Sequence, residues 1–279
     1  MRISQKMYGG KAQECAYMDT QIDGIRINYR DEGQGPLLVM LHGWGSNIEL
    51  FDGIIRFAAA GYHVVAMDLP GFGKSGDPQS PWDVDDYVRF VLSFIKKICP
   101  RDRQIIFLGH SMGGRIIIKL AAQLDAYHPG FTIPKVILTD SAGIMPVRTR
   151  EQEKRTKRYH FYKNLIMKSG ILKLDPEALN KLQKKFGSAD YSAALPVMRA
   201  SLVKVVNEDL APYMPKVTMP ALLVWGDKDT ATPLSDGQQM EKLMPEAGLA
   251  VIEGAGHYSF LDNPVLYQRI LGSFLQIKL

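Results

Sequence analysis

Apolar residues in this chain gather into short runs separated by turn-forming residues, and the spacing within each run distinguishes strands from helices. Residues 36–41, 62–67, 104–108, 136–140, 221–225 and 249–252 are compact apolar stretches closed by glycine, proline or aspartate. That is the pattern of strands covered on both faces of a parallel sheet. Segments around 50–60, 84–98 and 115–124 instead repeat their apolar residues every three or four positions, as one face of a helix does. Nearer the start, residues 15–22 and 25–30 predict two strands joined at Asp23-Gly24, a dipeptide suited to a tight hairpin. The alternation predicts an α/β domain: a mostly parallel eight-stranded sheet with helices on both faces and any ligand site at the carboxyl ends of the strands.

The alternation breaks once. From 146 to 216 no strand pattern occurs, and the chain predicts short helices over 150–169, 176–185 and 195–206. Sheet-like runs resume at Ala221. The expected organisation is therefore a core of residues 1–145 and 217–279, with a helical lid inserted at 146–216. No internal repeat or low-complexity stretch marks the insert as a separable domain.

Candidate chemistry sits where strands end. The run 105–108 leads into Gly109-His110-Ser111-Met112-Gly113-Gly114 and then into helical spacing, which places Ser111 on a strand-to-helix turn. Such a turn strains the serine backbone and brings strand and helix close together, so the positions two before and two after it must be almost free of side chain. A serine hydroxyl needs a base, a carboxylate to orient that base, and amide donors for the developing oxyanion. Asp227 and Asp229 follow the strand at 221–225, and His257 follows the run at 249–252. Glycines flank Trp44 in His42-Gly43-Trp44-Gly45, leaving its N–H free to turn toward a pocket. The amide of Met112, immediately after the serine, is the second expected donor.

The order serine, aspartate, histidine is that of the α/β-hydrolase fold. Together with His42 to Gly45, Asp68 to Ser75, Gly109 to Gly114, Trp225 to Asp229 and Gly256-His257, it makes the chain resemble the serine-nucleophile α/β-hydrolases of the esterase, haloperoxidase-like and carbon–carbon bond hydrolase group. The resemblance covers almost the whole length. It implies a catalytic triad of Ser111, Asp229 and His257, with Asp229 preferred to Asp227. It also implies an oxyanion hole of Trp44 and Met112, substrate contacts from Gly43, His110 and Met145, no cofactor and no metal. The expected activity is cleavage of a small to medium acyl substrate, a carboxylic ester first. Ring-cleavage dienoic acids and a low-turnover ligand receptor are the alternatives. His110 stands where the carbon–carbon hydrolases usually carry asparagine, and a serine nucleophile does not suit the alkyl displacement performed by dehalogenases and epoxide hydrolases of this fold.

Composition narrows the rest. The chain has 279 residues, 46% of them hydrophobic, and only two cysteines, Cys15 and Cys99. These values fit one large core and reduced thiols. No apolar stretch is long enough to span a membrane, and residues 1–10 lack the apolar centre of a secretory signal; the expected compartment is the cytoplasm. The expected partner is a small-molecule substrate, with no nucleic acid, and the protein is expected to be a monomer or homodimer. The net charge of +5 conceals an asymmetry, because residues 148–185 hold 12 Lys or Arg against 4 Asp or Glu. That basic stretch reads as a solvated helix face rather than a nucleic-acid site. Tyr159, Phe161, Tyr162, Met198 and Met214 read as lid packing, and Arg115 as structural. Gly71-Phe72-Gly73-Lys74-Ser75-Gly76 imitates a dinucleotide fingerprint, yet Asp77-Pro78 and Pro81 deny it the following helix that would hold a pyrophosphate. It reads as a structural loop. The six histidines show no metal-ligand spacing.

Overall fold

The computed structural model describes residues 17–145, 150–169, 171, 175, 177–179, 181–182 and 194–277. Eight strands form one sheet in the order β1-β2-β4-β3-β5-β6-β7-β8. In chain order they are β1 (Tyr17–Ile22), β2 (Ile25–Glu32), β3 (Leu37–Leu41), β4 (His63–Met67), β5 (Ile105–His110), β6 (Val136–Thr139), β7 (Ala221–Gly226) and β8 (Ala247–Ile252). β1, β2 and β4 pair antiparallel, and every other pairing is parallel. The expected sheet therefore forms. β3 and β5 are buried along their whole lengths, which explains why they read as unbroken apolar runs rather than as alternating ones.

Helices cover both faces. On one lie α1 (Asp52–Ala58) and, near the C-terminus, α9 (Pro264–Leu275), packed on Leu38, Met40, Val64, Leu108 and Val224. On the other lie α2 (Val84–Ile98), α3 (Met112–Ala122) and α7 (Leu234–Leu243), packed on Val39, Val65, Phe107, Leu138 and Trp225. α2 begins at a reciprocal cap in which Asp83 accepts from the Asp86 amide and Asp86 accepts from the Asp83 amide. This cap is why the helix starts abruptly after the proline-rich stretch. Two short helices, α4 (Leu124–Tyr127) and α8 (Ser259–Asp262), follow α3 and the histidine loop.

Some boundaries differ from the sequence expectation. The helix expected over 50–60 divides into a 3-10 turn, Ile48–Phe51, and α1. The strand expected to reach Asp140 ends at Thr139, because Asp140 adopts φ +44. α3 starts at Met112 rather than near Arg115. Cys15 and half of the residues of the helix expected over 176–185 lie outside the described residues.

Between β6 and β7 the chain forms α5 (Arg150–Lys168), α6 (Pro196–Val206) and a 3-10 segment, Ala211–Lys216. α6 is fastened to the core. Ser201 Oγ accepts from the Trp82 amide at 2.9 Å, and Lys204 Nζ donates to the Pro81 carbonyl at 2.9 Å. Beyond α6, the buried Lys119 pairs with both Asp85 and Glu208. Arg115, also buried, donates to the Glu208 carbonyl at 2.7 Å. Arg115 thus holds the segment that follows α6 against α3.

Candidate active site

The turn between β5 and α3 has the geometry its glycines require. Ser111 adopts φ +51, ψ −110, a conformation costly for a non-glycine residue and retained only where the surroundings enforce it. Here they do. A β-carbon on Gly113 would lie 2.0 Å from the Leu41 carbonyl oxygen, and one on Gly109 would lie 2.6 Å from Gly113 backbone. The helix start is therefore pressed against both β3 and β5. Gly114 is equally constrained, since a β-carbon there would meet Ser141 Oγ at 1.9 Å.

His257 and Asp229 are brought together from separate loops. His257 Nδ1 lies 2.8 Å from Asp229 Oδ2. Asp229 is buried, and its Oδ1 accepts from the amides of Ala231 and Thr232 at 2.8 and 3.0 Å. Burial alone would raise its pKa, but the hydrogen bonds from His257 and Thr232 together outweigh that and hold the carboxyl below its usual range. Asp227 is used elsewhere, accepting from the Gly254 amide at 2.6 Å and pairing with Lys228. Because Asp229 only accepts, His257 carries its proton on Nδ1, which leaves Nε2 as the basic nitrogen.

His110 lies beneath this pair. Its ring is buried, 4.8 Å from the His257 ring between centroids, and its Nε2–H donates to the His257 carbonyl at 2.8 Å. Burial first, and the neighbouring His257 second, push its pKa down to about 3, so it is a neutral brace. Ser111, the next residue, is thereby carried to the His257 loop. Among the described residues Ser111 Oγ and His257 Nε2 form no hydrogen bond. Such contacts commonly tighten only when substrate is bound.

The expected oxyanion donors come from the residue that follows the serine and from the loop that follows β3. The Met112 amide opens α3, where no preceding turn supplies a carbonyl. The Trp44 amide donates to no protein acceptor among the described residues. Its loop turns at Gly45, φ +68. His42 supports the loop from below: its Nε2 accepts from the Leu69 amide at 2.9 Å, so its Nδ1–H points to the Gly43 carbonyl at 2.7 Å. Burial lowers the His42 pKa and keeps the ring neutral. Gly43 itself faces the elbow, since a β-carbon there would meet His110 Nδ1 at 2.8 Å and Ser111 Cβ at 3.1 Å. Met145 is half-buried, just before residues 146–149.

The false dinucleotide motif has a clear structural role. Asp68 accepts from the amides of Ile48 and Lys74 and from Asn28 Nδ2, each at 2.8 Å. Gly73, φ +55, leaves room for that carboxylate. Phe72 meets Trp44 edge-on at 4.8 Å and His42 at 5.7 Å. The loop therefore buttresses the His42–Trp44 segment.

Three contributors were not foreseen. Thr232 places its hydroxyl 2.7 Å from Asp229 Oδ2 and 3.2 Å from His257 Nδ1. Asp140 and Ser259 tie the Asp229 and His257 loops to each other. A carboxylate at the end of a sheet-like run, Thr139-Asp140-Ser141, was the available signal for Asp140. Thr232 offered none.

Comparison with known proteins places the chain. The model of the alpha/beta hydrolase family matches residues 38–267. The chain belongs to that family. This hydrolase is 24% identical to pimeloyl-[acyl-carrier protein] methyl ester esterase of Vibrio vulnificus, over 89% of this chain and 97% of that one. It is likewise 24% identical to 2-hydroxy-6-oxo-6-(2'-aminophenyl)hexa-2,4-dienoic acid hydrolase of Metapseudomonas resinovorans, over 94% and 92% of the two chains. Among solved structures, an esterase from Exiguobacterium antarcticum superposes with TM-score 0.70 at 25% identity, covering 92% of this chain and 98% of the other.

Proposed function

We propose that this hydrolase cleaves a small to medium carboxylic ester through an acyl-enzyme on Ser111. As the hydroxyl attacks the carbonyl carbon, His257 Nε2 takes its proton. Asp229 keeps the imidazole in the required tautomer and stabilises the imidazolium that forms. The amides of Trp44 and Met112 receive the oxyanion, and each such donor commonly contributes about 3 to 4 kcal/mol to the transition state. His257 then returns the proton to the leaving alcohol. Water, deprotonated by the same nitrogen, attacks the acyl carbonyl and frees the acid and Ser111.

The observation that carries this reading is the 2.8 Å contact of a buried Asp229 with His257, on loops that converge beside a strained Ser111. Gly43 and Met145 border the acyl site in this proposal, under a lid formed by residues 146–216. The ester preference is supported by the names of the Vibrio and Exiguobacterium relatives. The dienoic acid hydrolase supports carbon–carbon cleavage as a second substrate class for the same triad.

The test is labelling with a serine-directed fluorophosphonate, then assays on acyl esters of increasing chain length and on a dienoic ketone. Label at Ser111, faster turnover of esters than of the ketone, and a loss on the order of a million-fold in Ser111→Ala are expected. Full activity in Ser111→Ala would reject the mechanism. Preferential turnover of the ketone would reassign the bond that is broken, and absence of both label and turnover would favour a ligand receptor.

A further inference from the structure

Helix α5 turns its half-buried residues, Thr156, Tyr159, Lys163 and Ile166, to one side. They recur at spacings of three and four, so they share a face. The opposite face presents Lys154, Lys157, Arg158, Phe161, Leu165 and Lys168, all exposed. Phe161 is 65% exposed and Leu165 49%, so Phe161 is not the lid packing residue its sequence context predicts. None of these four cations forms an ion pair among the described residues. A solvated helix face, as expected from the sequence, leaves the exposed Phe161 and Leu165 unexplained. An ordinary surface helix would place polar residues where Phe161 and Leu165 stand.

The composition of the face selects its partner. α5 holds seven basic and two acidic residues, a net charge of +5. A second copy of the chain would set this helix against its own charge. A nucleic acid would match the cations and could stack on Phe161, but it would leave Leu165 in water. A bilayer with anionic headgroups satisfies both halves. Apolar side chains enter at the acyl boundary while long basic side chains reach up to the phosphates.

We propose that α5 docks the protein on an anionic lipid surface, with Phe161 and Leu165 inserted and Lys154, Lys157, Arg158 and Lys168 at the phosphates. The docking does not depend on the triad chemistry and is read by binding alone. The full chain is sedimented with vesicles of phosphatidylcholine, with or without phosphatidylglycerol, at low and at physiological salt. Pelleting with the mixed vesicles, weakened by salt, is expected. Phe161→Ser/Leu165→Ser and Lys154→Glu/Arg158→Glu are each expected to weaken it about tenfold or more. Thermal melting and far-ultraviolet circular dichroism are expected to stay unchanged in both variants, which reports an intact fold. If the wild-type chain ignores phosphatidylglycerol, the proposal fails. If only the charge variant loses binding, the face is an electrostatic adsorber without insertion, and the proposal fails in that form. Stronger retention by DNA than by mixed vesicles overturns it as well.

Discussion

Asp140 and Ser259, 119 residues apart in the chain, are joined twice: the Ser259 amide and hydroxyl donate to Asp140 Oδ2 at 3.0 and 2.7 Å. The other carboxylate oxygen accepts from the Gly226 amide at 2.9 Å. Gly226 ends β7, from which the Asp229 loop departs, and Ser259 stands two residues beyond His257. One buried carboxylate therefore fixes the spacing between the loops that carry Asp229 and His257. Asp140→Asn keeps the shape but turns an acceptor into a donor facing an N–H. It is expected to lower kcat about tenfold or more with little change in KM, since misplacing a catalytic group by a fraction of an ångström is costly. Steady-state kinetics on the preferred ester decides this, and unchanged kcat would remove Asp140 from the positioning scheme.

The same carboxylate gives stability a measurable pH slope. Burial, only partly offset by its hydrogen bonds, raises the Asp140 pKa from 3.8 to about 6. Between those values the folded chain binds the proton before the unfolded chain does. Its contribution to stability therefore falls as pH rises across the window. Asp229 has the opposite sign. Its pKa is lowered in the fold, so its contribution is present above the unfolded value and is lost on acidification. Relative to Asp140→Asn, the wild-type protein is expected to gain stability between pH 7 and pH 4. Relative to Asp229→Asn it is expected to lose stability toward the acid end. Urea unfolding of the three proteins at a series of pH values tests both slopes, and parallel curves would contradict the assignments.

The parts of this architecture that were legible in the sequence are those set by local rules. Buried parallel strands announce themselves as apolar runs, and the elbow announces itself through Gly109 and Gly113, whose missing side chains the turn requires. α9 was readable in principle, because Asn263 caps it through the Leu266 amide and Pro264 occupies its first turn. The roles of Asp140, Thr232 and Ser259 were not readable. Each acts through partners 86, 25 or 119 positions away, and no periodicity encodes such pairings. His110 is a mixed case: its place beside Ser111 is local, whereas its bond to the His257 carbonyl depends on how two distant loops meet.

Thr232 illustrates how closely Asp229 is held. Its amide donates to Asp229 Oδ1 at 3.0 Å, while its hydroxyl lies within hydrogen-bond distance of Asp229 Oδ2, the Asp140 carbonyl and His257 Nδ1. Thr232→Val removes the hydroxyl alone and leaves shape and amide intact. A hydrogen bond to a charged group contributes about 1.5 to 3 kcal/mol, so a fall in the acylation rate of about ten- to a hundredfold is expected. Thr232→Ser is expected to remain within a few-fold of wild type. Stopped-flow acylation separates this from deacylation, and equal rates in the Val and Ser variants would show that the hydroxyl is dispensable.

The elbow yields the sharpest contrast between two glycines. At Gly113 a β-carbon would lie 2.0 Å from the Leu41 carbonyl oxygen and 2.6 Å from its carbon. These are backbone atoms of a central strand, with no side chain that could rotate away. Gly113→Ala must lift α3 off β3, dragging the Met112 amide away from Trp44. A loss of roughly 3 kcal/mol or more, with activity failing at least as severely, is expected. Gly53, inside α1, has nothing within 4 Å of such an atom. Gly53→Ala is expected to stabilise the fold by about 0.5 to 1 kcal/mol, because alanine restricts the unfolded chain and suits a helix. Urea midpoints of the two variants should therefore move in opposite directions from wild type. If Gly113→Ala melted with the wild-type protein, the close approach of α3 to β3 would be wrong.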